Sequence, residues 1–521
     1  MMERKAMRLD TIKLAAFLYL YLPVIIFCVT WFQWFISVPI CTVMLFSLAL
    51  FLLRSKTEPC KLTVWEWICG GLVLLIVFAW CYASGLGGFV LQSGDFPKHN
   101  VILRDLINYA LPVRYDFSGR EGMLSYYVAG YIVPALVGKA FGKDFDRAQD
   151  MLLIWSAIGI FLAVLLLYKA FRIRKGYAFL IIIFTIILFA TFVCPVTAVF
   201  SKWFPEEAGD GVHWLSNTIW IQYSSNITML SYVFPQMIPG LLAVAMLKDL
   251  RYDYDTWGLI LAPLVIYSTF VFLGVTVIML TTFVLDMVTA HMKAVPSGTW
   301  KGVKGVLSIY NISSLALAVT LLLYLLGNIL QEKPTEAAMG LTLIDYSGHL
   351  HTLLFFELSW LLWIFLLAKR EKGDHLLAAA AVSLTFYPFF KMGYYNDLCM
   401  RASIPALLII CVTVAENILR SFAGTDPGEI DTVPDMTEGP GKSAAVGQRD
   451  RWYAALLIIC LMITGAAPMK ELHYYYTARA KGERNYYDIY EKSEDFYFSY
   501  DFVEYQYIDW DPDSISHNML R

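Results

Sequence analysis

Apolar runs of about twenty residues recur along nearly the whole chain, each closed by a short polar stretch that is usually basic. A helix of twenty residues covers about 30 Å, the apolar thickness of a bilayer, so each run predicts a membrane-crossing helix. Candidate spans fall at 14–31, 34–53, 64–85, 150–168, 177–194, 228–247, 257–273, 274–290, 305–329, 351–368, 375–391, 402–419 and 452–468, about thirteen in all. A further apolar stretch, Tyr126 to Phe141, is left on the membrane surface as an interfacial helix. If it crossed, Lys169, Arg172, Arg174 and Lys175 would lie outside, against the preference of Lys and Arg for cytoplasmic loops. The run from 257 to 290 has basic flanks on both sides and must cross an even number of times, so Gly274 is read as a turn between two short spans.

With these choices the N-terminus lies inside and the C-terminus outside, and more than half of the Lys and Arg fall in the short inner loops. Five regions follow: a two-helix extension (1–63), a membrane core (64–420) with a long first outer loop (86–149), a Gly/Pro/Asp-rich disordered cytoplasmic linker (421–451), a last crossing (452–468), and an extracytoplasmic tail (469–521) dense in Tyr, Phe and acids. So many aromatics are poorly solvated if left free, which predicts a small ordered cap.

Composition agrees: 58% of residues are hydrophobic, 16% are charged and mean hydropathy is +0.57, which places the chain among all-α polytopic membrane proteins. A net charge of −3 provides no basic field, so nucleic acid is not an expected partner. Nine cysteines show no metal-ligand spacing, and most sit inside apolar runs as small core residues. The basic opening (Arg4, Lys5, Arg8, Lys13) leads into a run too long for a signal-peptide core, so it is expected to stay as the first span.

Candidate chemistry collects in four outer segments. The first, Ser93 to Asp105, carries Asp95, Lys98, His99 and Arg104 directly after a span; the loop continues to Arg114, Asp116 and Arg120. Ionisable groups at membrane depth are costly and mark function, so Asp95 is a candidate catalytic carboxylate; a helix N-cap before Phe96-Pro97 is its plainer role. Arg104 with Asp105 reads by default as a surface ion pair. The second segment holds Glu206, Glu207, His213, Gln222 and Tyr223, with the Glu206-Glu207 pair plainly read as solvating a loop. In the third, His349 and His351 are one residue apart, which suits a strand or loop better than one helix face; no residue is assigned as a metal ligand, although a divalent metal is left open as cofactor. The fourth runs from Lys391 through Tyr395, Asn396 and Asp397 to Arg401. Arg401 opens an apolar helix on the outer side, where the charge rule disfavours a cation, and a guanidinium there suits a lipid-linked phosphate; Lys391 is a second candidate.

This layout resembles the membrane glycosyltransferases of the C superfold (GT-C), such as protein O-mannosyltransferases and the aminoarabinose transferases that modify lipid A. The resemblance rests on about thirteen spans with the N-terminus in and the C-terminus out, an acid close after a span in a long first outer loop, the interfacial Ser125-Tyr126-Tyr127 segment, and the following span ending in Lys169 to Lys175. It covers roughly 64–420. It implies a polyprenyl-phosphate sugar as donor and Asp95, by position, as the acid that deprotonates or orients the acceptor. Gly122-Met123-Leu124 stands where some relatives carry His-Pro-Pro, and the tryptophan-tryptophan-aspartate signature of oligosaccharyltransferases is missing.

The chemistry is coherent from the residues as well. Arg401 or Lys391 would stabilise a phosphate leaving group, Asp95 would accept a proton from the acceptor hydroxyl, and one displacement would invert the anomeric centre. Lys98, His99, Arg104, Glu206, Glu207, His213, Gln222, Tyr223, Tyr395, Asn396 and Asp397 are candidate substrate contacts. The expected function is transfer of a sugar to a cell-envelope acceptor on the outer face of a prokaryotic cytoplasmic membrane. Two alternatives stand: a transporter or flippase of a lipid-linked saccharide, and a non-catalytic envelope-assembly protein.

Overall fold

A computed structural model describes residues 8–54, 56–57, 63–117, 120–173, 175–292, 304–330, 340–393, 396–423, 447–483, 507–511 and 513–520. Most of the expected linker (421–451) and Tyr395 lie outside the described residues. Eighteen helices are used here: α1 (Thr11–Trp31), α2 (Trp34–Arg54), α3 (Val64–Ala83), α4 (Phe96–Asn108), α5 (Ala129–Ala140), α6 (Phe145–Ala170), α7 (Gly176–Leu188), α8 (Val193–Trp203), α9 (Asn226–Asp249), α10 (Trp257–Tyr267), α11 (Thr269–Met292), α12 (Ile309–Leu330), α13 (Leu350–Leu367), α14 (His375–Phe386), α15 (Asp397–Ala402), α16 (Ile404–Ala423), α17 (Gln448–Ala480) and α18 (Ile515–Met519). The short strands are β1 (Arg8–Leu9) with β2 (Lys56–Thr57), β3 (Arg114–Phe117) with β4 (Arg120–Leu124) and β7 (Ile508–Asp509), and β5 (Thr342–Leu343) with β6 (Phe390–Lys391), all antiparallel.

Helix starts follow local side chains. The Asp10 carboxylate accepts from Lys13 N at 3.2 Å, Asp144 from Arg147 N at 3.1 Å and the Ser225 hydroxyl from Thr228 N at 3.0 Å. Thr63 and Glu66 form a reciprocal capping box at the start of α3. The bundle centre is α9 with α15–α16, whose apolar stretches are almost wholly buried, whereas α3 and α11 turn most of theirs outward. Trp34, Phe46, Trp65 and Leu75 are among the large apolar side chains exposed on α2 and α3, a surface suited to lipid.

Among the described residues eleven helices are long and apolar enough to cross a membrane, consistent with an all-α polytopic membrane protein. The difference from thirteen has a definite origin. The stretch expected to span at 375–391 is α14, of 12 residues, with one 3₁₀ turn (Tyr387–Phe389). The stretch expected at 257–273 is α10, of 11 residues and so about 16 Å long, roughly half the apolar thickness. The turn after it falls at Ser268 and not at Gly274. Ser268 is extended (φ −172°, ψ 117°), and its hydroxyl accepts from Val271 N at 3.3 Å, starting α11. Gly274 instead lies inside α11, where a Cβ would collide with the Ala402 carbonyl and lie 3.2 Å from Pro405. The hairpin itself is real: Tyr254, just before α10, donates to Asp286 near the end of α11 at 2.7 Å, so both ends meet at the same end of the bundle.

Ion pairs show which helix ends belong together. Lys13 pairs with Asp249 (2.8 Å), Lys169 with Asp10, Arg54 with Asp255 (2.9 Å), Lys248 with Glu416 (2.7 Å) and Arg251 with Asp374 (3.0 Å). These are the loops expected on the inner side, and they form one charged end. The opposite end gathers α4, α5, the starts of α6, α9, α13 and α15, and the end of α17. α17 continues to Ala480, about three turns past the expected 468. Two described pieces of the tail pack on the rest of the chain: Leu124 and Met123 of β4 pair with Ile508 and Asp509, and Gln33 N donates to the Met519 carbonyl at 3.1 Å; the aromatic-rich 484–506, on which the expected cap rests, lies outside the described residues.

Candidate functional site

At the less basic end, residues distant in sequence form one polar cluster. Asp95 occupies the residue before α4, with proline in the first turn, but its side chain caps nothing. Its carboxylate instead takes the Lys98 ammonium at 2.6 Å, which overturns the helix-cap reading. About a third of the Asp95 side chain is exposed against 15% for Lys98, so the carboxylate is the accessible partner. Burial acts to raise the Asp95 pKa, but chiefly the Lys98 ammonium, with Arg401 among the smaller contributions, holds the carboxyl below its ordinary value. Lys98 is pulled down by burial against the attraction of Asp95, and it also senses Arg401 and Asp397.

Arg401 is buried at the end of α15. One guanidinium nitrogen donates to the Tyr127 hydroxyl at 2.7 Å and another pairs with Asp397 at 3.0 Å, one turn earlier on the same helix. Gln236 donates to the same Tyr127 hydroxyl at 2.8 Å. Tyr126 lies against Tyr127 (ring centroids 3.7 Å) and against Tyr507 of the tail (4.5 Å), whose carbonyl accepts from Ser125 N at 2.8 Å. Two polar atoms of this cluster, Arg401 Nε and Gln236 Oε1, are buried with no hydrogen-bond partner among the described residues. Both atoms belong to the groups around the Tyr127 hydroxyl, and they are two of about two dozen buried side-chain polar atoms left unpaired among the described residues.

Sequence reasoning pointed to Asp95, Lys98, Arg401 and Asp397 and missed Tyr127, Gln236 and Tyr507 as members of the cluster. Tyr126-Tyr127 is legible as a paired aromatic motif, and Gln236 as a polar residue between Pro235 and Pro239 in an apolar helix with an irregular turn at Val233.

The other candidates serve the fold or lie elsewhere. His99 is buried with both ring nitrogens engaged, Nδ1 with the Tyr131 hydroxyl at 2.5 Å and Nε2 with the Tyr232 carbonyl at 2.8 Å. Burial pushes its pKa down to about 3, so the ring is neutral and Nε2–H donates to the carbonyl while Nδ1 accepts from tyrosine. Arg104 and Asp105 form a buried pair at 3.2 Å and not a surface one, with the Tyr115 hydroxyl donating to Asp105 at 2.9 Å. Gln222 donates to Ser224 at 2.8 Å, and the buried Tyr223 hydroxyl donates to the Leu384 carbonyl. Asn396 has a left-handed backbone (φ 57°) and caps α15 through Cys399 N at 3.3 Å. Lys391 ends β6, paired to Thr342, and makes no ion pair with this cluster among the described residues.

The loop between α8 and α9 is fastened at two places. Glu206 is exposed, but Glu207 is not a solvating residue: its carboxylate meets His349 Nδ1 at 3.1 Å and His351 Nε2 at 3.1 Å, and accepts from the Thr352 hydroxyl at 3.3 Å. His213 lies between Asp210 (2.9 Å) and Glu471 of α17 (3.2 Å), and Glu471 also accepts from Tyr232 at 3.2 Å. Burial lowers the His213 pKa, but Asp210 and Glu471 outweigh it and raise it to about 9, so the ring is charged at neutral pH. A raised pKa contributes stability fully below the unfolded value near 6.5, and that contribution is lost as pH rises through about 9. Thermal unfolding of the detergent-purified protein should therefore show a midpoint falling between pH 7 and 10, and His213→Gln should flatten that fall. An equal fall in the variant would assign the pH dependence to other groups.

Comparison with protein-family models, with curated proteins and with solved structures finds no match to this chain.

Proposed function

We propose that the protein is an integral-membrane glycosyltransferase that moves a sugar from a polyprenyl-phosphate donor to a cell-envelope acceptor at the outer face of a prokaryotic cytoplasmic membrane. The observation that carries this reading is the cluster of Asp95, Lys98, Tyr127, Gln236, Asp397 and Arg401, with spare buried polar atoms on Arg401 and Gln236. The charge rule assigns the basic end to the cytoplasm, with the N-terminus inside and the C-terminus outside, and so the cluster to the outer face.

In the reaction, an acceptor hydroxyl oxygen bonds to the anomeric carbon as the bond from that carbon to the phosphate oxygen breaks. The proton passes to Asp95, the electron pair leaves on the lipid phosphate, and Arg401 stabilises the charge gathering there. Because the leaving phosphate needs no proton, one carboxylate suffices and the anomeric centre inverts. A cavity of 890 Å³ between α3, α7, α16 and α17, lined by Ile76, Trp80, Phe184, Leu188, Met462 and Leu472 among others, is almost wholly apolar and supports this reading as a place for the prenyl chain.

A second reading, transport of a lipid-linked saccharide, is favoured by the broken helices: α7–α8 around 189–192 and α9 at Val233. Interrupted helices near the middle of a bundle are where transporters hold substrates. Reconstitution in proteoliposomes with a labelled undecaprenyl-phosphate sugar separates the two. Label appearing in an acceptor, with lipid phosphate released, is the expected result; label crossing the bilayer still on its lipid overturns the transferase reading.

A further inference from the structure

We infer that Glu207, His349 and His351 form a binding site for a divalent transition-metal ion of the zinc class, which joins the loop after α8 to the start of α13. The inference is independent of the glycosyltransferase reading. One ligand atom from each of the three residues lies within 4.8 Å of the others. His351 Nε2 is 3.1 and 3.2 Å from the two Glu207 oxygens, and His349 Nδ1 is 3.1 Å from one of them. Around a tetrahedral zinc with bonds of 2.0–2.1 Å, neighbouring ligand atoms stand roughly 3.3 Å apart, so the carboxylate-to-imidazole distances already match the edges of such a site. Two imidazoles and one carboxylate suit zinc, cobalt or iron(II); magnesium and calcium prefer all-oxygen shells.

The local fold prepares this arrangement. Residues 207–217 close a small hairpin in which Asn217 N donates to the Glu207 carbonyl at 2.9 Å and Gly209 N to the Leu215 carbonyl at 2.9 Å. That hairpin fixes the backbone carrying Glu207. Two histidines one residue apart would diverge on a continuous helix, but His349 precedes α13 with a non-helical backbone (φ −122°, ψ 19°), which lets its ring turn back toward that of His351. Phe204 stacks on the His351 ring at 3.8 Å and 14°. Thr352 donates to Glu207, the kind of outer contact that orients a metal-bound carboxylate. The three side chains stay 23–31% exposed, so an ion can enter from the outer aqueous side and keep a water as its fourth ligand.

An ion pair between Glu207 and protonated histidines would give the same contacts without any metal, and ion binding distinguishes them. The full-length protein in detergent, stripped with a chelator and then dialysed against zinc chloride, should retain one zinc per chain by mass spectrometry of the metal, and its unfolding midpoint should rise with zinc. Cobalt(II) in place of zinc should show the intense visible absorption of a tetrahedral site. His351→Gln and Glu207→Gln should lose the ion, Thr352→Ala should weaken binding by roughly 10–100-fold, and His213→Gln, on the same loop but outside the trio, should retain it. Absence of zinc and of the cobalt spectrum in the wild type overturns the site, as does equal retention by His351→Gln and wild type. Because those two wild-type measurements need no variant to fold, the inference is testable whatever the substitutions do to stability.

Discussion

Asp95→Asn should lower the turnover of sugar transfer by about 10²–10⁴-fold, the usual contribution of a positioned general base, with the KM for the lipid-phosphate donor little changed. The asparagine keeps the shape and removes both the charge and the proton-accepting oxygen. In the wild type the carboxyl is held below its ordinary pKa, chiefly by Lys98 against the effect of burial, so it is ionised throughout the neutral range. The base form is lost only as pH falls through that depressed value. An acid limb in the rate profile at pH 5 or above would therefore belong to another group. The substitution also strands the Lys98 ammonium, whose side chain is only 15% exposed, and an unpaired buried cation destabilises more than removal of the whole pair. The double variant Asp95→Asn with Lys98→Met separates the two effects: it should recover the unfolding midpoint and remain inactive. Full activity in Asp95→Asn would remove Asp95 as the base and leave the cluster a binding site at most.

Asp95 and Arg401 were legible for the same physical reason. Each is a charge set directly against an apolar run, where its desolvation has to be compensated, and the count of crossings brought both to one side. Eleven of the thirteen expected spans were legible as long apolar helices because a run of bilayer length needs a non-aqueous surrounding, whereas the runs at 257–273 and 375–391 form the short helices α10 and α14. Partners were harder to read. His99 looked like chemistry beside Asp95, yet burial keeps it neutral, and both ring nitrogens are taken up by Tyr131 and the Tyr232 carbonyl, more than thirty and more than a hundred residues away. Glu207 looked like a solvated loop residue because its histidines are 142 and 144 positions downstream. The turn expected at Gly274 falls six residues earlier, since glycine signals either a bend or a close approach, and here it accommodates the Ala402 carbonyl. Tyr507 joins the cluster by way of a three-stranded pairing of β3, β4 and β7 that no local pattern announces.

Arg401→Lys should cost about 10²–10³-fold in turnover, the effect of removing one well-aimed donor from a developing anion, and should also raise the KM for the donor. Arg401 uses one terminal nitrogen on Tyr127 and the other on Asp397, which leaves Nε spare and fixes the plane of the group. Lysine keeps the charge but presents a single ammonium on a flexible stem, and it cannot hold Tyr127 and Asp397 while also reaching a phosphate oxygen. Both KM and turnover should respond because the donor phosphate carries charge before the reaction and gains more during it, so the interaction exists in the ground state and strengthens at the transition state. Tyr127→Phe removes the acceptor that orients one guanidinium nitrogen, along with the acceptor of the Gln236 amide, and a hydrogen bond to a charged group is worth about 1.5–3 kcal/mol, so the loss should be roughly 10–100-fold. The two effects should not add, because once lysine replaces Arg401 the Tyr127 hydroxyl has no guanidinium left to orient, and Arg401→Lys with Tyr127→Phe should resemble Arg401→Lys alone. Fold is controlled by Arg401→Gln with Asp397→Asn, which removes the pair together and should unfold near the wild-type midpoint without transferring sugar. Unchanged donor KM and turnover in Arg401→Lys would mean that the phosphate is held elsewhere. The Lys98 ammonium is then the remaining cation of the cluster, and Lys98→Met should show the loss that Arg401→Lys did not.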